Sequence, residues 1–205
     1  KSYGGSGTTW TDLSSEGYNG TINGATYSSS DNGYFDFDGS NDLILVDTSI
    51  TTAVGEFVAT SSNPFSISVW FEPTTSDTGD NCIFSKGNGH GTGGNVYVEY
   101  SGTNMRAVIR GTATNDFYTT LTNSWHEVTI CWDGTTFKSY VNGSFISNLS
   151  VGTATSQDVD VRIGNSGNGN EPFDGKISNV KVYTKGLTAT EVAQNFNALR
   201  GRYGI

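Results

Sequence analysis

Asparagine-glycine and aspartate-glycine pairs break this chain at 19-20, 23-24, 32-33, 38-39, 88-89, 133-134, 142-143, 168-169 and 174-175. Such pairs readily take the positive φ of tight turns, so the chain must reverse often and its regular segments must be short. The segments between them alternate. In "PFSISVWF" Phe65, Ile67, Val69 and Phe71 share one face, in "WHEVTICW" His126, Val128, Ile130 and Trp132 do so, and in "DVDVRIG" Val159, Val161 and Ile163. Period-two patterning with one apolar face is the mark of a half-buried strand. "TTFKSYVNGSF" reads as a strand entering an Asn142-Gly143 hairpin. In "KISNVKVY" the apolar residues Ile177, Val180 and Val182 demand a bulge or a change of face between 177 and 180. Only the end departs from this pattern. There a capping box from Thr188 to Glu191, followed by Val192, Phe196 and Leu199, predicts a short helix over about 188-199.

A dozen or so such strands without intervening helices predict an all-β chain. The expected architecture is a two-sheet antiparallel jelly-roll sandwich in one domain over 1-205, with the C-terminal helix packed on its edge. The 27 Gly against 3 Pro, and charged residues at only 15%, fit a turn-rich β composition. A propeller is excluded, although "GSGTTWTDL" ends in the letters that close the Asp-box of sialidase propellers. Gly5 stands where that box needs aspartate and Tyr3 where it needs serine, the motif occurs once, and no repeat of ~40 residues runs through the chain.

Charge narrows the partners. With 11 Lys+Arg against 20 Asp+Glu, a net charge of -9 repels phosphate backbones and anionic lipid, so neither nucleic acid nor membrane is expected as a partner. No apolar run approaches the ~18 residues of a membrane span. Cys82 and Cys131, with only His90 and His126 beside them, give no zinc spacing; a single bridge and two free thiols are both open.

Catalytic patterns are missing too. His126-Glu127 opens like the zinc motif H-E-x-x-H, but residue 130 is Ile and the segment reads as strand. There is no G-x-S-x-G elbow and no P-loop. The Asp-x-Asp steps Asp36/Asp38 and Asp158/Asp160 read as solvated strand faces. No enzymatic activity is expected.

The segments "GSGTTWTDLSSEGYNGTINGATYSSSDNGYFDFDGSNDLILV", "PFSISVWFEP", "IFSKG", "WHEVTICWDGTTFKSYVNGSF" and "FDGKISNVKVYTKGLTATEVAQNFNAL" occur in the order seen in laminin-G-type, concanavalin A-like lectin/glucanase domains, which the chain resembles over nearly its whole length. Its opening "SYGGSGTTWTDLS" and closing "ALRGRYGI" are similar to the variant found in structural proteins of tailed phages. In that variant a further strand precedes "KSY". The resemblance therefore implies a fragment of a longer chain, or a strand taken from elsewhere. The glucanases of the superfamily carry Glu-x-Asp on one strand, and no Glu-x-Asp occurs here.

The resemblance also implies a structural Ca²⁺ held at the sandwich edge by loop carboxylates and carbonyls, with Asp12, Asp38 and Asp174 as candidate ligands. "DFDGSND" matches an EF-hand loop only superficially, since Asn41 stands where that loop needs Gly. A glycan site would use outward-facing aromatic and polar residues. Reading outward from the apolar faces selects Trp70, Tyr97, Glu99, Arg106, Arg110, Lys138 and Tyr140, and the loops add His90, Asp116 and Tyr118. The glycan-binding set is thus Trp70, His90, Tyr97, Arg106, Asp116 and Tyr118, with cross-strand Glu/Arg pairing as the plain alternative for several. The expected role is a non-enzymatic module on a virion surface, a head decoration or tail-fibre protein, contacting other virion proteins or neighbouring segments of its own chain and, weakly, cell-surface glycans. The alternative is a carbohydrate-binding or adhesion module of a secreted bacterial protein.

Overall fold

The alternating segments form strands in the computed structural model, which describes residues 2-53, 57, 63-76, 78-87, 96-109, 113-153 and 160-205. One sheet runs, in spatial order, β1 (Thr9–Trp10), β2 (Gly20–Asn23), β5 (Leu43–Val46), β14 (Val161–Ile163), β7 (Asn81–Lys86), β8 (Val96–Ser101), β9 (Asn104–Ile109) and β10 (Ala113–Tyr118). The second runs β13 (Ser144–Leu149), β12 (Phe137–Val141), β11 (His126–Trp132), β6 (Phe65–Pro73), β15 (Asp174–Tyr183), β4 (Tyr34–Asp38) and β3 (Thr26–Ser28). Adjacent strands are antiparallel throughout the described residues. The two sheets form the expected jelly-roll sandwich.

Its core is built from the inward faces that the alternation marks out. Phe65, Ile67, Val69 and Phe71 of β6 and Val128, Ile130 and Trp132 of β11 meet Ile44, Phe84, Val98, Val161 and Ile163 of the first sheet. Edge-to-face rings pack within the core, with Phe65 and Phe137 5.6 Å apart and Phe37 and Phe173 5.7 Å apart. Val159 lies outside the described residues. The break foreseen in "KISNVKVY" is real, because the pairing of β15 with β6 shifts register between Ile177 and Asn179.

The turn pairs divide by role. Asp133-Gly134 and Asn142-Gly143 close hairpins between neighbouring strands, and Asn142 and Gly143 both have the positive φ of a tight hairpin turn, 50° and 73°. Asn23-Gly24 and Asp38-Gly39 instead carry the chain from one sheet to the other, from β2 to β3 and from β4 to β5. Gly175 is no turn at all; it lies inside β15, opposite Phe37 and Pro73.

After the short helix α1 (Ser49–Ala53), which follows β5, the helix α2 (Ala189–Leu199) starts at Thr188, whose capping box with Glu191 is complete. It differs from expectation in where it packs. Rather than on an edge, it lies across the outer face of the second sheet. Val192 and Leu187 cover Cys131 and Tyr140, while Phe196, Leu199 and Tyr203 cover Trp70 and Trp125. The middle strands of this sheet are therefore buried on both faces, and every residue of β11 is buried. Ser66 shows how polar outer-face residues tolerate this: its hydroxyl donates to Lys185 O at 2.8 Å and accepts from Leu187 N at 2.9 Å. Both cysteines are free and buried, and burial pushes the Cys131 thiol up to about 11.

Candidate functional site

The outer face of the first sheet carries a polar cluster centred on Arg106 of β9. Cross-strand register sets it opposite Glu99 of β8 on one side and Asp116 of β10 on the other. Its Nε donates to Asp116 Oδ1 at 2.8 Å, and its Nη1 donates to Asp80 Oδ1 at 2.9 Å and lies 3.5 Å from Glu99 Oε1. Burial works against the guanidinium's charge, but the bond it donates to Asp116 and the surrounding carboxylates hold its pKa above the usual arginine value. Glu99 is fully buried, whereas Asp80 and Asp116 keep side-chain exposures of 39% and 52%. The result is a fixed donor with two accessible carboxylates beside it, which suits the hydroxyls of a polar ligand.

Of the expected glycan-binding residues, only Arg106 and Asp116 come together here. Trp70 must be corrected: it is 1% exposed, stacked by Tyr203 at 4.2 Å and by Phe196 at 5.6 Å, so no sugar ring reaches it. Tyr97 is corrected likewise, being fully buried with Cys82 and Val108 on the outer side of the first sheet. Tyr118 is half-buried and packs against the core, turned there by a bulge after Asp116. His90 and Arg110 lie outside the described residues. Tyr140 is buried under α2, and Lys138 is paired with Asp133 at 2.6 Å.

The expected Ca²⁺ ligands do not assemble. Asp38 and Asp174 are direct partners across β4 and β15, but Asp12 organises a separate loop, accepting from Ser14 N, Ser14 Oγ and Tyr18 N. Burial raises its pKa and these bonds lower it, leaving it below the usual carboxylate value. Asp38 accepts from Ser40 N, the bond of a turn-holding aspartate. Among the described residues no group of three or more His, Cys, Asp and Glu side chains is placed to hold a metal ion.

A second feature was not legible in the sequence. A cleft of about 770 Å³ opens between the N-terminal arm and β15. Trp10, Asp12, Glu16 and Tyr18 form one wall, residues 179-185 form the other, and Val46, Ile50, Phe84 and Ile163 form the floor.

Glu127 of β11 is the most enclosed carboxylate near α2, 1% exposed and accepting from Ser68 Oγ at 2.7 Å and from Thr129 Oγ1. Burial raises its pKa above the ordinary 4.5, against the pull of Thr129, Ser68 and the Lys181 charge. The folded state therefore holds this proton to higher pH than the unfolded chain does. The group's contribution is most favourable below the ordinary carboxylate pKa and declines as pH rises through the folded value. Urea unfolding at pH 4 and at pH 8 is expected to show Glu127→Gln gaining stability relative to the native chain at the higher pH. A constant difference, or a shift in favour of the native chain, would refute this.

The comparisons with known proteins agree with the fold. The family model described as the concanavalin A-like lectin/glucanases superfamily matches residues 38-193. Among curated proteins, adhesion G-protein coupled receptor V1 of Danio rerio is 28% identical over 151 residues, covering 65% of this chain and 2% of the receptor. Among solved structures, the binding domain of botulinum neurotoxin serotype D/C superposes with a TM-score of 0.68 at 16% identity, over 95% of this chain and 50% of that one. Trypanosoma rangeli sialidase superposes with a TM-score of 0.69 at 13% identity, over 98% and 32%. The chain thus spans half or less of the length of each.

Proposed function

Since the chain belongs to the concanavalin A-like lectin/glucanase superfamily, we propose that it is a non-enzymatic adhesion module that binds glycans through the cluster around Arg106. The observation that carries this reading is the fixing of Arg106 between Asp116 and Asp80, at 2.8 and 2.9 Å, on an accessible part of the first sheet. An oligosaccharide presents hydroxyls that both donate and accept, and a pinned guanidinium flanked by exposed carboxylates answers both without reorganising. The neighbours lend support: cell entry of botulinum neurotoxin type C is dependent upon interaction with two ganglioside molecules, and the binding domain of botulinum neurotoxin DC has been solved in complex with rat synaptotagmin II. Asp36 and Asp38, the described Asp-x-Asp pair, are exposed on β4 beside Lys176 and Asp174 and do not face each other across a cleft.

A glycan array probed with the chain is expected to give a discrete set of ligands. Asp116→Asn, at a site exposed enough to leave folding intact, is expected to weaken them about tenfold, the scale of one charge-assisted hydrogen bond. An array without saturable binding, or binding indifferent to Asp116, would sink the site. Release of reducing ends from β-glucans would sink the non-enzymatic reading.

The setting we propose is the outside of a tailed-phage particle, among other virion proteins. The resemblance of residues 2-14 and 198-205 to phage structural domains supports it. So does the charge of -9, which disfavours contact with packaged DNA. A gene flanked by polysaccharide-degrading enzymes, in place of capsid, portal or tail genes, would favour a secreted bacterial adhesin instead. Among the described residues no helix is long and apolar enough to cross a membrane.

A further inference from the structure

Charge at the Arg106 cluster decides which glycans it can hold, an inference that rests on the reading of that cluster as a glycan site. Three carboxylates converge there on one guanidinium. Asp116 and Asp80 accept from it at 2.8 and 2.9 Å, while Glu99, fully buried, lies 3.5 Å away. Strand register fixes three of these four side chains, since Glu99, Arg106 and Asp116 are direct partners across β8, β9 and β10. Exposure then grades them. The side chains of Asp80 and Asp116 are 39% and 52% exposed against 21% for Arg106, so a ligand arriving from solvent meets two negative groups before the positive one. Even with Glu99 left aside, one positive charge stands against two negative ones.

The guanidinium's own geometry works in the same direction. Arginine grips a carboxylate or sulfate through two parallel N–H bonds, along either its Nε/Nη2 edge or its Nη1/Nη2 edge. Here Nε donates to Asp116 and Nη1 to Asp80, so each edge has already given one nitrogen to the protein. An acidic sugar would have to displace one of these carboxylates and then remain beside it. Like charges brought together in this way are a strong means of rejecting a ligand. At low salt the chain's net charge of -9 adds to the rejection.

We infer that the cluster is a charge filter, which accepts neutral oligosaccharides through their hydroxyl groups and rejects those bearing sialic acid, uronic acid or sulfate. A hydroxyl differs from an ionised acid in the two respects that matter here. It donates to Asp80 and Asp116, which an acid anion cannot do, and it accepts from the guanidinium without bringing a negative charge. Two hydroxyls on adjacent sugar carbons can do both at once. A sugar with a free ammonium group would satisfy the carboxylates, but it would set a second positive charge beside Arg106. Asp80 and Asp116 thus have two roles, as acceptors for the right ligand and as the repulsive element against the wrong one.

The test is a glycan array of matched sets, titrated with the chain as it stands. Each neutral oligosaccharide stands beside the same backbone carrying sialic acid, glucuronic acid or sulfate, and beside a free-amine form. The neutral members are expected to bind, with their acidic counterparts at least about tenfold weaker. Raising the salt from about 20 mM to about 500 mM is expected to narrow that gap by strengthening the acidic members alone, because screening weakens a repulsion that a neutral ligand does not feel. Asp80→Asn combined with Asp116→Asn keeps the shapes and removes both exposed negative charges. In that variant the gap is expected to shrink at least about tenfold. Should it not fold, the salt comparison on the native chain decides. Equal or tighter binding of the acidic members, a gap that neither salt nor the double variant changes, or tightest binding of the free-amine form would each overturn the charge filter and leave the glycan site standing. An array without saturable binding would overturn both.

Discussion

Replacing Trp70 by alanine is expected to cost about 3-5 kcal/mol of stability, the range for deleting a large buried aromatic side chain. Trp70 projects from the outer face of β6 and would be solvent-exposed if the second sheet had only one covered side. Instead it is sandwiched. Tyr203 stacks on it at 4.2 Å with planes 18° apart, Phe196 lies 5.6 Å away with planes 4° apart, and Trp125 joins the same cluster. Alanine would remove the surface on which the end of α2 and the turn after it rest. The C-terminal segment has other tethers, since Arg202 Nη2 donates to Asn32 O at 3.0 Å, Asn32 Nδ2 to Arg202 O at 2.9 Å, and Tyr203 Oη to Ser178 Oγ at 3.0 Å. The expected result is thus a cavity under a still-tethered roof, with a lower urea midpoint and faster amide exchange in α2. Glycan binding at Arg106, on the other sheet, should persist at temperatures where the variant stays folded. A loss below about 1 kcal/mol would mean that the roof is not part of the cooperative core.

Trp70 also marks the limit of what alternation reveals. Period two divides a strand into two faces and identifies the apolar one, which is why β6 and β11 were legible residue by residue. It does not say what lies over the other face. For Trp70 the cover is a segment more than a hundred residues further along the chain, so an outward aromatic read as a sugar platform is in fact the anchor of a helix. For Arg106 the plain alternative, cross-strand pairing with Glu99, is present together with the exposed Asp116 contact. The helix itself was legible because its capping box is local in sequence. The cleft was not, because it depends on where β4 stops alongside β15, a fact of register between distant segments. Aspartate-glycine pairs were ambiguous for a related reason: the same dipeptide closes a hairpin at 133-134, turns a corner between sheets at 38-39 and sits within a strand at 174-175.

Gly175 in that last position is expected to tolerate no side chain. Its φ of +140° is one that L residues rarely adopt, and an added Cβ would lie 2.3 Å from Glu72 O, 3.1 Å from Phe173 Cζ and 3.2 Å from Pro73 Cα. The nearest obstacle is backbone, which cannot swing aside as a side chain can. Nor can the strand retreat. Tyr100 Oη donates to Asp174 O at 2.6 Å, Thr74 N donates to the same oxygen at 3.1 Å, and Asp174 N donates to Asn81 Oδ1 at 3.0 Å, so the residue before Gly175 is held from three elements. Gly175→Ala should therefore lose about 3 kcal/mol or more, combining the cost of overpacking with that of an unfavourable backbone angle. Gly169→Ala separates the two contributions. Gly169 also has a positive φ, +78°, but nothing lies within 4 Å of its Cβ position, so only the backbone cost of about 1 kcal/mol applies. Urea unfolding of both variants reads the difference directly. Equal losses would show that the close approach of β15 to β6 at Glu72 is relieved by movement, and that the hydrogen bonds around Asp174 do not hold the strand in place.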